Sequence, residues 1–249
     1  MCTLSWSFRP DGYSVFFNRD ELHTRAPAIP PFKRSIAGVE VIAPQDADKG
    51  GSWITVNAYG VLTCLLNLYE YPIPEATEPY LSRGFLVMDL AACSNWESGS
   101  AILDDKDLHR YPPFQLVQFS PRGEVNRLKW TGEERIIDRL DECLQPISGS
   151  SFCNDEVVGK RIEAFDRLCK SDVSHEEQLR QLELFHFSHD SDNGAYSVNM
   201  CRSDARTVSI NRVDVRAQEI CFQYRQKAVR CFEFEPPSMI LMDRQLAIV

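Results

Sequence analysis

The chain has no CxxC pair, no internal repeat, no low-complexity segment and no apolar run approaching the ~20 residues that a membrane-spanning helix needs. Apolar runs such as Val61 to Leu66 and Phe85 to Val87 are of strand length or shorter, so no membrane span is expected. Positive charge is also short. Lys+Arg 27 against Asp+Glu 36 leaves a net charge of −9 at pH 7, which offers no basic excess to hold a phosphate backbone, and nucleic acid is not expected as a partner. The first residues lack the apolar core and positive flank of a signal peptide, and the early acids Asp11, Asp20 and Glu21 run against a transit peptide. A cytoplasmic chain is expected. The nine cysteines are odd in number and scattered, and none stands near a His at zinc-ligand spacing. They read as thiols of a reducing compartment, mostly buried, with no metal and no cofactor.

What is present is ordinary globular material: 249 residues, 43% apolar and 25% charged, enough to bury a sizeable core. The first 70 residues read as β-structure. Thr3 to Phe8 and Tyr13 to Phe17 flank a Pro10-Asp11-Gly12 turn and predict a hairpin. After a Pro-rich loop from Ala26 to Phe32 come strand-like runs at Gly38 to Ala43, Trp53 to Val56 and Val61 to Leu66. The middle turns helical. Pro79 to Cys93 places Leu81, Phe85, Met88 and Ala92 on one face, a short polar helix is expected at Trp96 to Leu103, and Gln115 to Phe119 with Glu124 to Trp130 predicts a second hairpin. Asp155 to Lys170 carries Val158, Ile162, Phe165 and Cys169 at helical spacing, and Ser174 with Glu177 makes a capping-box start for a helix through Leu184. Strand-like runs return at Tyr196 to Met200, Arg206 to Asp214, Glu219 to Tyr224 and Val229 to Phe234. With no convincing linker, the simplest assembly is one α+β domain over residues 1–249, with sheets and helices in separate layers.

Cys2 carries the most chemistry. Removal of the initiator Met before this small residue would put a thiol and a free α-amine on one residue, nucleophile and base together, because an α-amine titrates near ~7.7–8.0. The same Cys also fits an incidental structural thiol. Asn18-Arg19-Asp20-Glu21 ends the second strand of the hairpin, so the returning chain brings it beside Cys2, where an arginine and a carboxylate would orient the amine and favour the thiolate. Such a tetrad also reads as a solvated charged turn. Gly50-Gly51 precedes a strand, the wrong context for a phosphate loop, and suits a tight turn or a close backbone approach near the nucleophile. His186 and His189 follow a helix without an acidic or Cys partner at metal spacing. The aromatic alternation from Phe222 to Phe234 reads as sheet packing.

Taken together, Met1-Cys2-Thr3, the Asn18-Arg19-Asp20-Glu21 tetrad and the block from Gly50 to Asn67 resemble the NRDE family, which includes the transport and Golgi organisation protein 2 group. That family in turn resembles the N-terminal-nucleophile (Ntn) hydrolases and, more distantly, penicillin V acylases and bile salt hydrolases. The resemblance implies a four-layer α/β/β/α sandwich and hydrolysis or acyl transfer at an amide C–N bond of a small-molecule substrate such as an acylated amine. It implies Cys2 as nucleophile, Arg19 as the arginine beside the thiol, Asp20 as the acid that holds the α-amine, and Asn67 as an oxyanion donor. An arginine on a late strand falls on Arg202 or Arg206, with Arg202 preferred because the strand run follows Arg206 directly. The second, mid-chain asparagine of the acylases has no counterpart in Ile147-Ser148-Gly149-Ser150-Ser151, where Ser150 or Ser151 would have to donate. Members of the family are also tied to Golgi and secretory organisation and to lipid or haem handling, which implies a binding or carrier protein as the alternative to an enzyme.

Overall fold

The computed structural model describes residues 2–140, 145–228 and 233–246. It divides into two compact units, Met1–Arg25 with Glu142–Asp214 and Cys221–Met239, and Ala26–Asp141 with Val215–Ile220 and Ile240–Val249.

The first unit holds most of a six-stranded sheet. Strands β1 (Cys2–Arg9) and β2 (Gly12–Leu22) form the expected antiparallel hairpin, in register from Arg9↔Gly12 to Cys2↔Arg19. On its other side β1 pairs with the short β10 (Ile147–Gly149), Cys2 opposite Gly149. The sheet order is β10, β1, β2, β11 (Ala205–Val215), β12 (Glu219–Gln226) and β13 (Ser238–Asp243). Helices α3 (Asn154–Leu168) and α4 (His175–Phe187) cover one face of the hairpin. The seal is Phe16 from β2 against Phe165, Leu182 and Phe185 from the helices, with Phe165 and Phe185 edge to face at 5.2 Å. Each such side chain contributes roughly 1.5–3 kcal/mol by burial. Ser174 caps α4 by accepting from Glu177 N–H, but the Glu177 carboxylate accepts from Arg180 and Gln181 instead of completing the expected capping box. In α3 the buried stripe is Val157, Arg161 and Phe165, turned one residue from the expected Val158 and Ile162.

The second unit is a seven-stranded antiparallel meander, in sheet order β3 (Ile29–Ile36), β4 (Val39–Gln45), β5 (Ile54–Asn57), β6 (Leu62–Asn67), β7 (Phe114–Phe119), β8 (Val125–Trp130) and β9 (Arg135–Leu140). Its helices are α1 (Gly84–Asp89) and α2 (Trp96–Asp104). Leu65, Leu86, Leu90, Leu103, Phe114 and Trp130 belong to its core. The helix expected from Pro79 to Cys93 forms only over Gly84–Asp89, and it buries Leu86 and Val87 while Leu81 and Phe85 stay exposed. Asn57 closes the β5–β6 turn. Its Oδ1 accepts from Tyr59 and Val61 N–H, and its Nδ2 donates to Ala91 and Cys93 carbonyls, so a fully buried amide is satisfied on both ends. The Gly50-Gly51 pair makes a close backbone approach to Gly84 of α1. A Cβ on Gly51 would lie 2.6 Å from the Gly84 carbonyl carbon, and Ser52 N–H donates to Gly84 O. The strand expected at Tyr196 to Met200 is instead a turn-rich segment, and the one expected at Val229 to Phe234 falls largely outside the described residues.

Candidate active site

Period-two alternation along β2 sorts the Asn18-Arg19-Asp20-Glu21 tetrad onto two faces of the first unit's sheet. Asn18 and Asp20 face the helices. Arg19 and Glu21 face the other way, their side chains joined by Arg19 Nη2 donating to Glu21 Oε2 at 3.0 Å. Because Arg19 is the cross-strand partner of Cys2, the guanidinium and the thiol emerge on the same face. Thr3, opposite Asn18, shares the helix face with Asp20. Cys2 is thus the first residue of a central strand, held between β2 and β10.

Asp20 is buried, and both of its oxygens are engaged. Oδ1 accepts from Thr207 Oγ1 at 2.6 Å, and Oδ2 pairs with Arg161 Nη2 at 3.3 Å, in an ion pair that solvent does not reach on either side. Arg161 Nη1 also donates to Thr3 Oγ1 at 2.8 Å and Ser148 Oγ at 2.9 Å, and Nε donates to Ser197 O at 3.2 Å. Ser148 in turn reaches Cys2 O at 3.3 Å. Sequence reasoning missed both Arg161 and Thr207. The signal for Arg161 is its place four residues after Val157 and four before Phe165, a charge in the middle of an apolar stripe.

Burial dominates the Cys2 thiol and pushes it above its usual range. The positive chain terminus pulls it down, the Asp20 carboxylate pushes it up, and the Asp20 backbone N–H and Arg19 pull it down. Desolvation outweighs the two cations, so the net shift is upward.

Asn18 plays a part that sequence reasoning did not assign. Its Nδ2 donates to His186 O and Val198 O, and its Oδ1 meets His186 Nδ1 at 2.7 Å. His186 Nε2 meets Ser5 Oγ at 2.7 Å, so both ring nitrogens are taken inside a fully buried site, and burial holds the imidazole at a pKa of about 3. His189 Nδ1 meets Asn199 O. Among the described residues, no group of three or more His, Cys, Asp or Glu side chains is placed to hold a metal ion.

Of the remaining expected residues, Arg202 lies in the turn before β11. Its guanidinium grips Asp204 through Nε at 2.9 Å and Nη2 at 2.7 Å and lies 5.4 Å from the Phe152 ring centroid. Arg206, already inside β11, donates to Ala228 O. Ser150 Oγ donates to Phe152 O and accepts from Phe152 N–H, and Ser150 N–H donates to Asn154 Oδ1. Asn67 ends β6 in the second unit, where its Nδ2 donates to Tyr69 Oη at 2.8 Å.

A model of the Transport and Golgi organisation 2 family matches residues 1–244. No curated protein sequence matches the chain. Among solved structures, a penicillin V acylase from Agrobacterium tumefaciens is similar with a TM-score of 0.56 and 11% identity, over 98% of this chain and 86% of the acylase. A variant of the conjugated bile acid hydrolase from Clostridium perfringens gives 0.54 and 11% over 98% of this chain and 92% of its own. The Caenorhabditis elegans ortholog of an N-acylethanolamine-hydrolyzing acid amidase gives 0.53 and 11% over 85% and 92%. These likenesses establish an α+β fold of the Ntn-hydrolase type.

Proposed function

The chain belongs to the Transport and Golgi organisation 2 family, and from that membership and the Ntn-type fold we propose that it hydrolyses, or transfers the acyl group of, a small N-acylated amide through Cys2 after loss of Met1. The observation that carries this reading is the placement of Cys2 as the first residue of a central strand, with Arg19 cross-strand on its own face and the buried Asp20 beside the strand end.

Loss of Met1 moves the α-amine onto Cys2 itself. A thiol raised by burial needs a base close at hand, and an amine titrating near ~7.7–8.0 meets that need. The amine takes the thiol proton as the sulfur attacks the amide carbonyl carbon. The tetrahedral adduct then collapses, the C–N bond breaks, and the ammonium gives its proton to the departing amine nitrogen. Water adds to the resulting thioester, and cleavage of the C–S bond returns the thiol and releases a carboxylic acid. Asp20 holds the ammonium, and Arg19 offsets negative charge on the sulfur. Asn67 enters as the oxyanion donor through the family resemblance alone; where such a donor acts, its loss costs roughly 10²–10³ in rate.

The neighbours supply the first substrates to try: penicillin V, a conjugated bile acid and an N-acylethanolamine. The expected outcome is amine release from at least one of them by the chain that begins at Cys2, and none from its Cys2→Ala variant. Equal release by both proteins would overturn the proposal. The raised thiol favours one second reading, a family member that binds or carries its ligand without cleaving it. That reading expects tight binding of a panel member, unchanged in mass, by the wild type and by Cys2→Ala alike.

A further inference from the structure

We infer that Arg161 is a positioning residue for Cys2, a single buried guanidinium that fixes all three strand segments meeting at the nucleophile; the inference rests on the proposed role of Cys2. Cys2 sits where β1, β2 and β10 come together, and Arg161 reaches each of them from α3. On β1 it donates to Thr3, the residue after the nucleophile; on β10 to Ser148, whose hydroxyl reaches the Cys2 carbonyl; on β2 to Asp20, next to the cross-strand partner of Cys2. A fourth bond, to Ser197 O, fixes the guanidinium against the segment after α4.

This is an expensive way to hold a sheet edge if holding is all it does. A fully buried arginine on the apolar stripe of a helix carries a desolvation cost that an aliphatic residue of similar volume would avoid. Thr3 to Ser148 is already within hydrogen-bond distance at 3.1 Å without it, and the β1–β10 ladder provides the backbone pairing. The guanidinium supplies something that neither gives, a counter-charge for Asp20. That carboxylate acts on Cys2 in two opposed ways: its charge raises the thiol, while its own backbone N–H bonds to the sulfur and lowers it. Arg161 offsets the first through its ion pair with the carboxylate, and by anchoring the side chain it keeps the second in register. The other charged groups that bear on this site are Arg19 and Glu21 on β2, with Tyr224 on β12 near Arg19 and neutral His186 on α4 near Arg161.

Thiol alkylation tests the inference without any substrate. The protein is the full chain from Cys2 onward, released from a cleavable amino-terminal fusion so that processing in cells plays no part. Cys2 and Cys221 are both buried in this unit, and both are followed by peptide mass during a pulse of iodoacetamide at neutral pH. In Arg161→Met the Cys2 rate is expected to fall about tenfold while the Cys221 rate holds, because the uncompensated carboxylate depresses the thiolate fraction. A merely structural role predicts the opposite sign, since loosened packing would speed both thiols. A Cys2 rate that is unchanged or faster overturns the inference. If Arg161→Met does not fold, Arg161→Lys takes its place; it keeps the charge but cannot reach all the acceptors, and a fall of about threefold at Cys2 is expected, an unchanged rate being contrary. Failure of the proposed amidase activity would show separately, as no amine release from a wild type whose Cys2 still labels faster than that of the variant.

Discussion

At Cys2 burial and charge pull in opposite directions, and burial wins: the thiol is held above its usual range despite the chain terminus and Arg19. The role proposed for the residue is chemical rather than structural. Replacing its thiol with hydrogen removes a small, weakly hydrogen-bonding group, so Cys2→Ala is expected to abolish turnover while moving the melting temperature by no more than about 2 °C. Scanning calorimetry beside an amine-release assay checks this, and a variant that unfolds well below the wild type would recast Cys2 as a core residue. His186 gives a second prediction at this scale. Its folded pKa of about 3 lies below the ordinary 6.5, so the unfolded chain binds the additional proton between those values. Stability from this group is complete above about pH 6.5 and is lost as pH falls toward 3. At about 1.4 kcal/mol per pH unit the ceiling between pH ~6.5 and ~4 is of the order of 3 kcal/mol. Melting temperature against pH is expected to fall more steeply for the wild type than for His186→Gln, and parallel curves would contradict the assignment. Cys2, Arg19 and Asp20 were legible as a group because a hairpin with a short turn must bring its two ends together. Arg161 and Thr207 were not, since they lie 141 and 187 residues from Asp20 in the chain and only the packed fold joins them.

Among the elements, strands with period-two or unbroken apolar patterns were read correctly, and those at sheet edges were missed. Strand β3 carries Pro30 and Pro31, which read as loop; the structure admits them because β3 is an edge strand with a register shift between Ile29 and Phe32. Strand β9 mixes Arg135, Asp138 and Arg139 with Ile136 and Ile137, and as the other edge of that sheet it needs no clean apolar face. The buried stripe of α3 was read one residue out of phase because a template of apolar residues skips Arg161. Strand character at Tyr196 to Met200 gave way to side-chain anchoring, with Val198 O accepting from Asn18 and Met200 N–H donating to Thr207 Oγ1. The glycines at this scale make a paired prediction. Gly51→Ala drives a Cβ into the Gly84 backbone and is expected to cost 2 kcal/mol or more, roughly the penalty of overpacking. Gly159→Ala, inside α3 with open space around its Cβ position, is expected to stabilise by about 0.5–1 kcal/mol. Denaturant midpoints that moved in the same direction for both would contradict the packing described.

At the scale of the whole molecule, the net charge is −9 and no described helix is long and apolar enough to cross a membrane. The fold type was legible from few residues because the Ntn arrangement demands a particular set at the chain start: a nucleophile at the first strand residue and its helpers at the end of the hairpin partner. Substrate identity was not legible, because it depends on pocket shape rather than on any short motif. The central claim is that Cys2 becomes the mature terminus and takes up an acyl group. Intact mass and N-terminal peptide mapping of the native protein, before and after an acid-quenched exposure to penicillin V, a conjugated bile acid and an N-acylethanolamine, test it most directly. The account predicts loss of Met1 and an acyl adduct on the Cys2 peptide with at least one of the three. Retention of Met1, or an unmodified Cys2 after all three exposures, would contradict it.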